Sequence, residues 1–142
     1  MRVTNAVHPT EEQLAAFAAP GAAGPIYMLN LLKFRDAAAY ADGRDTQLSG
    51  RDAYNIYGAG VAQLIGDFGG YIGLSAMVER LMLGDVEELW DSAAIAMYPS
   101  RQKMLEMIQS DAYQALHVHR EAGLAGQLNI ELTGAVGMWP DA

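Results

Sequence analysis

Two histidines two residues apart, His117 and His119, are the first side chains in this sequence that invite a chemical reading. They do not make a metal pair. Both fall in a helical segment, where residues two apart point to nearly opposite sides, so one ion cannot reach both. With no cysteine in the chain and His8 the remaining histidine, no metal is expected. His119 on its own suits a general base, because an imidazole titrates near neutral pH. The plainer role for it is a single hydrogen bond at a helix end.

Arg101 lies just past an apolar segment, near a helix N-terminus, where a guanidinium and free backbone N–H groups together hold a carboxylate or enolate. A salt bridge to Asp91, Glu106 or a partner chain is the simpler alternative. Asn30 shares a strand face with Ile26, Met28, Leu32 and Phe34. A buried amide there is either pinned by backbone groups or aimed at a ligand. Lys33, on the opposite face, extends its charge to solvent at the strand end. Ser92, Ala94 and Ala96 form a small-residue floor with Trp90 and Tyr98 at its two ends. Such a floor either receives a flat apolar molecule, with indole N–H and phenol O–H as anchors, or lets a helix pack closely. Tyr57, with Tyr54 on the same helical side, packs a helix onto the sheet, with the hydroxyls reaching the sheet's edge. The sequence has no phosphate-cradling Gly-Lys-Ser/Thr loop, no dinucleotide fingerprint behind a strand and no serine in a nucleophile elbow.

These residues need elements to position them. Thr10 with Gln13 three residues on opens a short helix reaching about Ala18, and Ala19-Pro20-Gly21 and Gly24-Pro25 break the chain after it. Residues 26–34 are apolar on both alternating faces, as in a strand buried from two sides. Ser49 caps a helix whose Tyr54, Tyr57, Val61, Leu64, Ile65 and Phe68 share one side, and Gly69-Gly70 stops it. A strand from Tyr71 to Leu83 is expected to turn through 84–87 and return from Glu88 to Tyr98. Pro99 ends that strand, Ser100 caps a helix through Ile108, and Asp111 opens another that ends at Gly123. Residues 128–133 alternate as a last, half-exposed strand.

The resulting order is the split β-α-β pattern of ferredoxin-like α+β folds: βαββαβ, an antiparallel sheet with helices on one face. Both right-handed crossovers place their helices on that same face. The strands are nevertheless apolar on both faces, with Ile72, Leu74, Ala76 and Val78 on one side of the second strand. A helix-free apolar face is too large a patch for a soluble monomer, and a two-fold partner laid across it gives a homodimer of the dimeric α/β-barrel kind. Three units are expected: an N-terminal extension over 1–25, the ferredoxin-like domain over 26–134 and a C-terminal tail over 135–142.

The chain has 142 residues, 51% hydrophobic and 18% charged, which suits one globular domain. Its net charge of -8, with basic residues scattered singly, argues against nucleic acid and anionic membranes as partners. No stretch approaches the roughly 20 apolar residues of a membrane span. The N-terminus lacks the apolar core of a signal peptide, and with no cysteine the expected location is the cytoplasm.

Three segments, Leu29 to Arg35, Ser49 to Gly58 and Tyr98 to Leu124, together with Trp90-Asp91, resemble a family of uncharacterised bacterial proteins in the dimeric α/β-barrel superfamily. The resemblance spans about residues 26–133 and implies the fold and the dimer. Related families contain cofactor-free monooxygenases, isomerases and haem-degrading enzymes, so a catalytic reading follows by analogy. That reading is a cofactor-independent enzyme, isomerase- or monooxygenase-like, acting on a small apolar or aromatic metabolite. His119 or a tyrosine is the base, Arg101 and Asn30 polarise an oxyanion, and Trp90, Tyr98 and Tyr57 hold the substrate. The alternative is a non-catalytic small-molecule-binding or structural dimeric module. Haem is a lesser option that a Soret band would reveal.

Overall fold

The computed structural model describes residues 2–21 and 23–137. Its elements are α1 (Glu11–Ala18), β1 (Ile26–Phe34), α2 (Gly50–Asp67), β2 (Tyr71–Met77), β3 (Ser92–Tyr98), α3 (Arg101–Ile108), α4 (Asp111–Gly123) and β4 (Leu124–Leu132). The four strands form an open antiparallel sheet in the order β2-β3-β1-β4. This is the ferredoxin-like arrangement, with α2 and α4 on one face and the sheet not closed into a barrel within the chain. Among the described residues, no helix is long and apolar enough to cross a membrane.

Local chemistry sets the helix ends. Thr10 Oγ1 accepts from the Gln13 N–H at 3.1 Å, and the Gln13 side chain accepts from the Thr10 N–H at 2.9 Å, a reciprocal capping box. Ser49, Ser100 and Ser110 cap α2, α3 and α4 in the same one-sided way. Ser110 thus takes the role that the sequence suggested for Asp111. Gly69, at φ 88°, ends α2 in a conformation that costs glycine nothing. β4 begins directly at Leu124 and so is four residues longer at its start than the alternating 128–133 pattern predicts.

The hairpin is shorter than expected. The predicted strands 71–83 and 88–98 end at Met77 and start at Ser92, and residues 78–91 are irregular. Ser92 lies opposite Leu32, and β1 stops at Phe34 two residues later. Longer strands would have projected as an isolated two-stranded ribbon, which is marginal in water. Asp91 closes the sheet instead: its N–H donates to Leu32, and its carboxylate accepts from the Phe34 N–H at 2.8 Å. A bulge between Ile72 and Leu74 corrects a second expectation. It inserts Gly73, so Ile72 turns into the helix-covered core while Leu74 and Ala76 face the other way.

The core lies between sheet and helices. Ile26, Met28, Ala96 and Tyr98 from the sheet meet Tyr57, Val61, Leu64 and Ile65 of α2 and Tyr113 of α4, with Met107 of α3. Close approach at one end depends on two glycines. A methyl on Gly50 would collide with the Arg35 carbonyl, and one on Gly123 with the Gly50 carbonyl, so α2, α4 and the end of β1 meet without side chains between them.

The opposite sheet face carries Leu29, Leu31, Ile95, Leu74, Ile130 and Leu132, by register and alternation. The N-terminal segment adds to the β4 edge: the N–H and C=O of Ala6 pair with those of Gln127 at 3.0 and 2.9 Å. The predicted tail over 135–142 lies, from residue 138 onward, outside the described residues.

Candidate functional site

The helix-covered sheet face brings polar groups into the core. Asn30, central on β1, donates to the Met28 carbonyl at 3.0 Å and accepts from Gln127 Nε2 on β4, also at 3.0 Å. The Gln127 carbonyl oxygen accepts from Arg120 of α4 at 3.0 Å. A relay of amide, amide and guanidinium thus runs from the sheet centre to α4. Gln127 is buried, which makes each of these bonds costly to lose.

Four tyrosines lie in the core on the same side of the sheet. Tyr57 of α2 and Tyr113 of α4 are buried, with their hydroxyls 3.1 Å apart. Tyr98 projects from β3 and Tyr54 from the first turns of α2 into the same core. Burial pushes the Tyr54 phenol up to about 12 and raises Tyr57 and Tyr98 further, with neighbouring phenols adding to the effect. These hydroxyls therefore stay protonated at neutral pH and serve as hydrogen-bond donors, not as bases. The rings of Tyr54, Tyr57 and Tyr113 belong to a file of six: Phe34, Tyr54, Tyr57, Tyr113, His117 and His8, with successive centroids 5.3, 5.3, 5.9, 5.6 and 5.7 Å apart.

Of the residues singled out in the sequence, Tyr57 and Tyr98 meet in the core cluster, and Asn30 lies on the same side of the sheet, bonded to Met28 and Gln127. The others are held elsewhere. Arg101, at the start of α3, makes a bidentate pair with Glu131 of β4, both bonds 2.7 Å, and stacks over Phe17 at 5.7 Å. Its hydrogen bonds hold the Glu131 carboxyl below the usual range. The ion pair foreseen for Arg101 exists, with a carboxylate that the sequence did not nominate. His119 accepts or donates at Nδ1 to the Tyr40 hydroxyl, 2.6 Å away, against the 35–49 loop. Trp90 precedes β3, and its indole N–H donates to Asn5 Oδ1 at 2.8 Å, so it does not bracket the Ser92–Ala96 floor with Tyr98. That floor lies under the helices, with Ala96 buried.

Lys33 is also bound, not extended to solvent. Burial works against its charge, yet Glu88 at 3.2 Å and Asp91 at 3.4 Å raise its pKa above the ordinary lysine value. It also donates to the Leu89 carbonyl at 3.0 Å. These groups line an open cleft of about 440 Å³ with Asn5, Arg35 and Asp36.

Sequence reasoning missed Tyr113, Arg120 and Gln127, which have no local pattern that marks them and meet Asn30 and Tyr57 across the fold. It also missed the neighbours of His117. His117 Nδ1 lies 2.7 Å from Glu121, one helical turn on, and His8 approaches the same carboxylate at 4.0 Å. The spacing of four between His117 and Glu121 was visible in the sequence; the arrival of His8 was not. Burial lowers the His117 pKa, leaving the imidazole neutral near pH 7.

Fold and site define a ferredoxin-like α+β protein whose helix-covered layer holds buried tyrosines and an amide–guanidinium relay. Among solved structures the chain is similar to RPA0582 from Rhodopseudomonas palustris, a protein of unknown function: 34% identity over 94% of this chain and 100% of that one, with a TM-score of 0.83. The methylated RPA0582 protein gives 35% identity over 96% and 100%, at 0.84. The chain belongs to the family of RPA0582. A candidate antibiotic biosynthesis monooxygenase from Caulobacter crescentus, 13% identical over 80% of this chain and 92% of that one with a TM-score of 0.52, shares the fold. No family model and no curated protein match the chain.

Proposed function

We propose that this protein is a cofactor-independent enzyme, isomerase- or monooxygenase-like, that acts on a small apolar or aromatic metabolite between its sheet and helices. The observation that carries the reading is the buried Tyr57–Tyr113 hydroxyl pair, 3.1 Å apart, on the side of the sheet that Asn30 also faces by strand alternation. Phenol hydroxyls held at low dielectric are suited to donate to a carbonyl or to the oxyanion that forms when a neighbouring C–H or O–H loses its proton. Asn30 adds an amide donor, and Tyr98 and Ala96 supply apolar surface for a flat ring. Arg120, through Gln127, fixes the Asn30 amide in orientation. Arg101, His119 and Trp90 act in this reading as structural anchors. The Caulobacter protein's description as a candidate monooxygenase is an analogy of fold and gives modest support.

A second reading is favoured by one specific fact: among the described residues, no buried side-chain nitrogen or oxygen lacks a hydrogen-bond partner. Such full satisfaction suits a non-catalytic binding or structural module. Both readings take the working form to be a homodimer paired through the helix-free sheet face, in the cytoplasm.

A thermal-shift screen against small quinols, phenols, lactones and aromatic acids separates them. A ligand at 100 times its Kd stabilises the native state by about 2.7 kcal/mol. The enzyme reading expects a hit that weakens about tenfold in Tyr57→Phe, since one hydrogen bond to the ligand is lost, followed by turnover of that compound. Binding without turnover supports the module. A hit unaffected in both Tyr57→Phe and Tyr113→Phe overturns the site.

A further inference from the structure

Outside the tyrosine layer, three side chains with metal-ligand chemistry converge where the N-terminal arm crosses α4. We propose that His8, His117 and Glu121 form a binding site for a divalent late first-row metal ion, with Zn²⁺ the best match. The two helical ligands sit four residues apart on one face of α4, the spacing at which helical side chains chelate one ion. His117 Nδ1 is 2.7 Å from Glu121 Oε1, His8 Nε2 is 4.0 Å from the same oxygen, and the three ligand atoms lie within 4.8 Å of one another.

An ion with bonds of about 2.1 Å draws tetrahedral ligands to about 3.4 Å apart. The adjustment falls to two partly exposed side chains, His8, 58% exposed, which must close in from 4.0 Å, and Glu121, whose carboxylate must draw back from 2.7 Å, while His117 is held at 22% exposure against Tyr113. Backbone on either side of His8 is already fixed. Ala6 is paired to Gln127 on the β4 edge, and Thr10 is locked in the cap of α1. Pro9 further limits the backbone of His8. The arm therefore presents His8 to α4 with little ordering left to pay.

Two imidazoles and one carboxylate make a borderline donor set that suits Zn²⁺ and its neighbours over Mg²⁺ or Ca²⁺, which prefer oxygen ligands throughout. Three protein ligands leave a position for water or another oxygen ligand, as in open zinc sites and unlike closed structural ones. Arg120, whose charge acts on His117, works against the ion, and it is tethered to Gln127. The inference does not depend on the enzyme reading, since its readout is the metal itself.

The test titrates untagged protein with Co²⁺ and Zn²⁺. The expected result is one equivalent per chain at micromolar affinity, with visible Co²⁺ d–d bands that Zn²⁺ abolishes by displacement. His8→Ala and Glu121→Gln, both at partly exposed positions, should each weaken binding at least about tenfold. His119→Ala, whose ring is engaged by Tyr40, should leave it unchanged. Absence of stoichiometric binding at micromolar metal overturns the proposal. So does binding of unaltered affinity in either His8→Ala or Glu121→Gln.

Discussion

Asn30 shows what a single side chain commits the rest of the chain to. It sits on the central strand with a donor and an acceptor both in use, and its acceptor serves Gln127, which is itself buried. Removing the amide strands Gln127 Nε2 in a site that water reaches poorly. Asn30→Ala should lower stability by about 1–3 kcal/mol in urea denaturation, the usual penalty for orphaning a buried polar group. Tyr113→Phe should cost less, because Tyr57 then loses one neutral partner and keeps its packing. Strand alternation put Asn30 on one face with Ile26, Met28 and Leu32, and in the structure that face is the one the helices cover. The sequence could not name Gln127, 97 residues away, because the partner is set by the register of β4 against β1. The helical period also joins His117 to Glu121 four residues on, a neighbour that the spacing of two between His117 and His119 does not reveal.

At the scale of elements, caps and glycines carried most of the legible information. Ser49, Ser100 and the Thr10–Gln13 box set helix starts that could be read from residue type alone. The hairpin could not be read so well, because apolar content persists through Val78, Leu81, Met82 and Leu83 after the sheet has ended. Gly50→Ala is expected to be severely destabilising, since its new methyl would meet backbone rather than a movable side chain. The measurement is the yield of folded protein, or the urea midpoint if the variant folds. Gly58→Ala, with open space around the position, should be neutral or mildly stabilising.

The Arg101–Glu131 pair ties α3 to the edge strand and gives stability a pH dependence. Glu131 has a folded pKa below its unfolded value because of Arg101's hydrogen bonds. Its contribution is therefore complete above the ordinary glutamate range and is lost as pH falls through the folded value. Glu131→Gln should lower the urea midpoint at pH 7, and the gap from wild type should shrink by pH 3.

At the scale of the whole molecule, the sheet face opposite the helices is left apolar and partly exposed. Leu74, Ile130 and Leu132, 50%, 41% and 38% exposed, lie on the face opposite the helices. If a second copy covers it, light scattering will give twice the 15.3 kDa chain mass. Ile130→Glu should shift that mass to one chain without loss of secondary structure; a wild-type protein of single-chain mass would remove the dimer. This expectation was already present in the two-faced apolarity of the strands, and the bulge at Gly73 changed which residues of β2 serve it.

The position of β1 has a consequence for how the chain reaches this structure. It is a long apolar strand that precedes the others in the chain and pairs only with strands made much later: Asn30 waits 64 residues for Ala94 and 97 for Gln127. Loop closure of that length must precede any reward from sheet pairing, so folding should be slow for a domain of this size. During that interval a nascent β1 is an unpaired hydrophobic strand, the species that aggregates and that chaperones retain. Capped helices formed locally in the meantime, α2 above all, are the surfaces on which it can first shelter.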